Sequence, residues 1–139
     1  STAAGFSIAT DATTVCVVGD LSFFYDQNAL WNNDIDSRLR ILLLNNSGGG
    51  IFEQLPGLNN SGALQNYIEA THSTTAHGIC SQCGIDYMVA TDTEQMLQGI
   101  TALLSTEATR PMLLEVFTDK NIDAEVISKY YKQNQQPAN

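Results

Sequence analysis

The sequence predicts a single α/β domain with a three-layer, mostly parallel sheet and helices on both faces. Three observations predict it. Short continuous apolar runs, Val15-Cys16-Val17-Val18 and Ile41-Leu42-Leu43-Leu44, have strand length without in–out alternation, as expected of parallel strands covered on both sides. Helical spacing separates these runs, and strands alternating with helices give a parallel sheet. At 139 residues, 43% hydrophobic and 15% charged, the chain suits one globular domain that buries roughly two-thirds of its unfolded surface. No apolar run approaches the ~20 residues of a membrane helix. The chain opens on Ser1-Thr2-Ala3-Ala4-Gly5 without Met. Residues 1–139 are therefore expected to be one domain, processed or cut from a longer protein.

Thr14 to Gly19 reads as a fully buried strand. Leu21, Phe24, Tyr25, Asn28 and Trp31 share helical spacing, which predicts a helix from Leu21 to about Asn32, broken by Asn32-Asn33-Asp34. Leu39 to Asn45 is the second strand and completes a β-α-β crossover, a unit that is right-handed in nearly all cases. Pro56, Gly57 and Asn59-Asn60 punctuate a loop over 48–60. Helical pieces follow at 64–70 and 75–83, the second stopped by Gly84 as a C′ glycine. Tyr87 to Ala90 is the third strand. Asp92 or Thr93 caps a helix through Leu104 whose stripe is Met96, Leu97, Ile100, Leu103 and Leu104. Pro111 to Phe117 is the fourth strand, Asp123 to Tyr131 the last helix, and 133–139 a disordered tail.

The net charge is -9, with only six basic residues. Nucleic-acid binding draws on phosphate neutralisation by Lys and Arg, so this balance argues against it. The basic residues are Arg38, Arg40, Arg110, Lys120, Lys129 and Lys132, and none falls between Ile41 and Thr109. A phosphate bound in that stretch would need a metal ion and backbone N–H groups to offset its charge. Three cysteines, Cys16, Cys80 and Cys83, do not suggest a disulfide-stapled secreted domain and point to a reducing cytoplasm.

The chemistry gathers where the first two strands end. Gly19-Asp20 closes the first and Asn45-Asn46 the second, followed by Ser47-Gly48-Gly49-Gly50. In open α/β sheets ligands bind at the carboxyl ends of the strands. Mg²⁺ takes six oxygens, usually a few from protein and the rest from phosphate and water. Asp20 offers a carboxylate, Asn46 an amide oxygen, and the following loop a carbonyl. The glycines let backbone approach a phosphate closely, and a helix beginning near Leu21 adds its positive dipole end. Either dipeptide alone is an ordinary turn. The two together, each ending a strand, favour a cation with an anionic cofactor.

These residues resemble the cofactor motif of thiamine diphosphate enzymes. The stretch from Gly19-Asp20-Leu21-Ser22 to Asn28, with Leu21 where the general pattern has Gly, and the stretch Asn45-Asn46-Ser47-Gly48-Gly49-Gly50-Ile51-Phe52-Glu53-Gln54-Leu55-Pro56 are similar to one branch. That branch is the 2-succinyl-5-enolpyruvyl-6-hydroxy-3-cyclohexene-1-carboxylate synthases of menaquinone biosynthesis, whose carboxy-terminal domain the opening residues and Leu113-Leu114-Glu115-Val116-Phe117-Thr118-Asp119 also resemble. Residues 57–85 match least. The resemblance implies the thiamine diphosphate-binding fold, and Mg²⁺ (or Mn²⁺) on Asp20, Asn46 and the Gly48 carbonyl. It places the diphosphate against Gly19, Asp20, Leu21, Ser22, Asn46, Gly48 and Gly49. Ile51 and Phe52 would face the cofactor and, with Leu55, line the substrate space, although the residues alone read equally well as core. It further implies decarboxylation of 2-oxoglutarate and addition of the succinyl-semialdehyde carbanion to isochorismate, in a homodimer or homotetramer. The activating glutamate would lie on the pyrimidine-binding domain of a second subunit. No catalytic residue is therefore expected here, and the chain alone should be silent.

Other readings stay open. Cys80-Ser81-Gln82-Cys83 with His72 and His77 has the elements of a Zn²⁺ site but no second cysteine pair, and buried cysteines commonly act as small hydrophobes. The histidines read as surface or interface residues. Asp34 and Asp36 fall at the amino end of the sheet as solvated groups, and Glu53 as a loop residue. Another thiamine enzyme, an acetohydroxyacid synthase or a 2-oxoacid decarboxylase, is the alternative within the enzyme class. A non-catalytic flavodoxin-like module using Asp20 for Mg²⁺ is the alternative outside it.

Overall fold

The structure, a computed structural model, describes residues 1–50 and 67–134. Their contacts divide into two compact units, Ser1–Asn45 with Thr74–Phe117, and Asn46–Ser73 with Thr118–Asn139.

The first unit carries the sheet. Its elements are α1 (Thr2–Ala9), β1 (Thr14–Gly19), α2 (Asp20–Asp26), a 3-10 turn over Gln27–Trp31, β2 (Leu39–Asn45), α3 (His77–Cys83), β3 (Asp86–Ala90), α4 (Thr93–Leu103) and β4 (Met112–Phe117). The four strands are parallel in the order β1-β2-β4-β3. Side chains alternate across β2. Leu39, Ile41 and Leu43 join Phe23, Leu30, Ala76, Cys80, Ile85 and Leu113 in one core. On the opposite face Ala90, Leu103, Leu114 and Val116 form a second core against Met96 and Ile100 of α4. Helices on both faces give the expected three layers. Gly99 permits the approach of α4, since a Cβ there would lie 2.7 Å from a Leu114 methyl.

Arg40, only 2% exposed, is the polar exception in β2. Its guanidinium donates to the carbonyls of Leu39, Arg110 and Ser105 at 3.3–3.4 Å, and burial lowers its pKa.

β1 departs from expectation. It is an edge strand of the sheet formed by the described residues, with Cys16 and Val18 packed inward and Val15 and Val17 exposed, Val17 by 62%. A run of apolar residues cannot by itself distinguish an edge strand from a central one. The expected helix from Leu21 is also shorter, because α2 ends at Asp26 and tightens into the 3-10 turn. α1 was not expected. The cap residues were: Asp92 accepts the Gln95 N–H at 2.8 Å, and Gly84 ends α3 at φ 68°, the left-handed conformation glycine tolerates.

The second unit contains the turn over 46–50, residues 67–73 and α5 (Lys120–Asn134). Asp119 caps α5 by accepting the Asn121 and Ile122 N–H groups at 2.8 and 3.2 Å, which lowers its pKa. Of the expected helix at 64–70, residues 64–66 lie outside the described residues; over 67–70 no α-helix forms, and Ala70 takes φ 47°.

Candidate functional site

The register fixes where the first two strands deliver their polar ends. Gly19 of β1 pairs with Leu44 of β2, so Asp20 and Asn45 each follow the last rungs of adjacent parallel strands. Asp20 is the first residue of α2, 3% exposed. Its Oδ1 accepts the Leu21 N–H at 2.7 Å. Gly19, Asp20, Leu21 and Ser22 thus form one strand-to-helix corner in the first unit.

Asn45 is held by two partners distant in sequence. Its Nδ2 donates to the Thr74 carbonyl at 3.0 Å and to Glu115 Oε1 at 2.7 Å. Glu115, wholly buried in β4, also accepts the Ala76 N–H at 3.0 Å and the Tyr87 hydroxyl at 2.5 Å through Oε2. A buried carboxylate needs such donors. Burial and then the bond to Glu115 raise the Tyr87 pKa. Cys80 belongs to the same buried surroundings. Its thiol is pushed up to about 12, first by burial and then by the charges of Glu115 and Cys83, which keeps it protonated and poorly reactive. His77 stacks edge-on against Tyr87 at 5.3 Å.

The second unit presents Asn46 and the glycines. Ser47 takes φ 65°, turning the chain sharply after β2. Two backbone bonds then pin this turn to 69–72: the Gly49 N–H donates to the Glu69 carbonyl at 2.7 Å, and the His72 N–H to the Ser47 carbonyl at 3.1 Å. Gly48 packs closely enough that a Cβ would sit 3.1 Å from the Glu69 carbonyl oxygen. Glu69, 1% exposed, pairs with Lys120 Nζ at 2.6 Å. Lys120, distant in sequence, therefore brings a basic side chain to a stretch that has none of its own. Asn46 Nδ2 donates to Asp123 Oδ2 at 3.2 Å. Its Oδ1 is buried and has no hydrogen-bond partner among the described residues.

In the first unit Asp20 offers a carboxylate, and in the second Asn46 and the Gly48 carbonyl offer neutral oxygens; the Asn46 oxygen, orphaned among the described residues, is the kind of atom a hard cation satisfies. Asp20 belongs to the first unit, and Asn46, Gly48 and Gly49 to the second. Ile51, Phe52, Glu53 and Leu55 lie outside the described residues. Asp36 is an exposed partner of Arg38. Sequence reasoning missed Glu115, Glu69, Lys120 and Asp123. Only Glu115 carried a signal, a carboxylate inside the apolar run Met112–Phe117. A cavity of about 360 Å³ in the first unit, lined by residues including Asn33, Ile85 and Pro111, opens at the amino ends of the strands, the end opposite Asp20.

Residues 1–116 match the family described as thiamine pyrophosphate enzyme, C-terminal TPP binding domain. Curated relatives named 2-succinyl-5-enolpyruvyl-6-hydroxy-3-cyclohexene-1-carboxylate synthase are similar over nearly the whole chain. The Bacteroides fragilis protein is 46% identical over 96% of this chain and 24% of its own length. That of Bacteroides thetaiotaomicron is 46% identical over 98% and 25%, and that of Christiangramia forsetii 45% identical over 94% and 22%. The chain thus spans about a quarter of the length of the relatives it matches.

Proposed function

Since this chain belongs to the family of C-terminal, cofactor-binding domains of thiamine pyrophosphate enzymes, we propose that it holds the diphosphate of thiamine diphosphate through Mg²⁺ (or Mn²⁺) as one domain of a menaquinone-pathway synthase. Asp20, Asn46 and the Gly48 carbonyl are the protein ligands. Gly19, Leu21 and Ser22 bound the diphosphate at the strand-to-helix corner. Gly49 contributes its bare Cα, its N–H being donated to Glu69. Ile51, Phe52 and Leu55 line the apolar side toward substrate. The observation that carries the reading is the buried Asn46 Oδ1, unpartnered among the described residues, because an unsatisfied buried acceptor costs about 1–3 kcal/mol and a bound cation removes that cost.

When bound, thiamine diphosphate supplies the electron sink for decarboxylating 2-oxoglutarate and passing its succinyl-semialdehyde unit to isochorismate. This chain's residues bind and orient that cofactor. Proton chemistry falls to a glutamate on the pyrimidine-binding domain of a second subunit, in a homodimer or homotetramer, and residues 1–139 alone turn over nothing. A cytoplasmic location is supported by three free thiols, Cys16, Cys80 and Cys83. Among the described residues no helix is long and apolar enough to cross a membrane.

Thermal unfolding tests the binding claim. Thiamine diphosphate and Mg²⁺ together, at about 100 times Kd, add about 2.7 kcal/mol and raise Tm by roughly 8 °C. Neither alone does so. An equal shift with the metal alone would favour the flavodoxin-like reading.

A further inference from the structure

Asn46 can serve a cation only if its amide oxygen, and not its nitrogen, faces the ion. An asparagine amide is nearly symmetric in shape, so something must choose between its two orientations. Within the second unit that choice falls to Asp123. Its Oδ2 lies 3.2 Å from Asn46 Nδ2 and 2.6 Å from the Thr118 hydroxyl. An ionised carboxylate only accepts hydrogen bonds. Rotating the amide by half a turn would set Oδ1 against this carboxylate, oxygen to oxygen, and lose the bond as well. The geometry therefore favours nitrogen toward Asp123 and leaves Oδ1 turned away, where it is buried without a partner among the described residues. Asp123 is itself fixed. It stands in the first turn of α5, its N–H donates to the Asp119 carbonyl at 2.9 Å, and Thr118 holds its carboxylate.

We propose that Asp123 is a positioning residue for the metal site: it selects the Asn46 amide orientation that presents Oδ1 to the cation, with Thr118 fixing the Asp123 carboxylate. The proposal rests on the reading of Asn46 as a cation ligand and adds a residue that touches neither metal nor cofactor. Partners in this outer position orient metal ligands, and their removal costs 10–100-fold in metal affinity as an order of magnitude.

The probe is Mn²⁺ binding to the 139-residue chain with thiamine diphosphate, followed by electron paramagnetic resonance. Asp123→Ala weakens Mn²⁺ binding about 10-fold or more. Asp123→Asn stays within about threefold of wild type, because its amide oxygen still accepts from Asn46 Nδ2. Asn46→Ala loses at least as much as Asp123→Ala, and the double variant loses no more than Asn46→Ala alone, as coupled neighbours should. Losses that add, or an Asp123→Asn variant as weak as Asp123→Ala, would make Asp123 a long-range charge and overturn the proposal. If Asp123→Ala fails to fold by circular dichroism, Thr118→Val is the substitute. It releases the carboxylate and weakens binding about threefold, and unchanged affinity overturns the proposal. Asp20→Ala separates the two levels. If it leaves Mn²⁺ affinity intact, or if wild type binds no Mn²⁺, the cation reading fails and takes this proposal with it. If Asp20→Ala abolishes binding while Asp123→Ala does not change it, the positioning role alone fails.

Discussion

Asn45 and Asn46 are chemically identical neighbours with opposite surroundings. The Asn45 amide is gripped by Glu115 and the Thr74 carbonyl and ties β2 to β4. The Asn46 amide is held only by its nitrogen, with its oxygen buried and unpartnered among the described residues. Both Nδ2 hydrogens of Asn45 are taken up within the sheet unit, whereas a buried acceptor left without a partner, as in Asn46, calls for an explanation. The contrast sets the residue that builds the strand end apart from the one proposed to use it.

The largest expected effect breaks the Asn45 side. Glu115→Ala leaves the Asn45 amide, the Ala76 N–H and the Tyr87 hydroxyl without their acceptor. It should cost about 3 kcal/mol or more in urea unfolding, or abolish folding. Asn45→Ala removes one donor from that carboxylate and should cost about 2 kcal/mol.

Asn46→Ala sharpens the contrast. It deletes an orphaned oxygen together with one part-buried bond, so stability in the absence of metal should stay within about 0.5 kcal/mol of wild type, while metal-dependent binding is lost. A loss for Asn46→Ala equal to that of Asn45→Ala would erase the distinction.

The smallest effect is acid sensitivity. Hydrogen bonding to Arg38 lowers the Asp36 pKa, and the Ile122 and Asn121 N–H groups lower that of Asp119. A depressed carboxyl pKa stabilises the fold above its unfolded value, about 3.9. That contribution is lost as pH falls through the lowered folded value. Both side chains are exposed, so stability measured from pH 7 to 5 should not register them, and a modest decline should begin only below about pH 4.

Much of this was legible in the chain. β1 and β2 run as expected, from Thr14 to Gly19 and from Leu39 to Asn45, because polar residues bound each apolar run. The α4 cap and the Gly84 stop were equally readable from local chemistry. What escaped depended on distant partners. α1 is rich in small residues and carries no strong apolar stripe, so its formation rests on packing. Exposure of Val15 and Val17 follows from the edge position of β1, which no local pattern encodes. Asp20 and Asn46 were readable as oxygen donors where strands end, whereas Gly48 was named only through the family resemblance. Asp123 and Lys120, by contrast, meet the 46–50 turn only through tertiary contact across seventy or more positions.

Isothermal titration of this chain with thiamine diphosphate, with and without Mg²⁺, tests the central claim most directly. The account predicts binding that requires the metal and disappears in both Asp20→Ala and Asn46→Ala, with Asn45→Leu affecting stability first. Binding that is indifferent to Mg²⁺, or that survives both substitutions in folded protein, would contradict it.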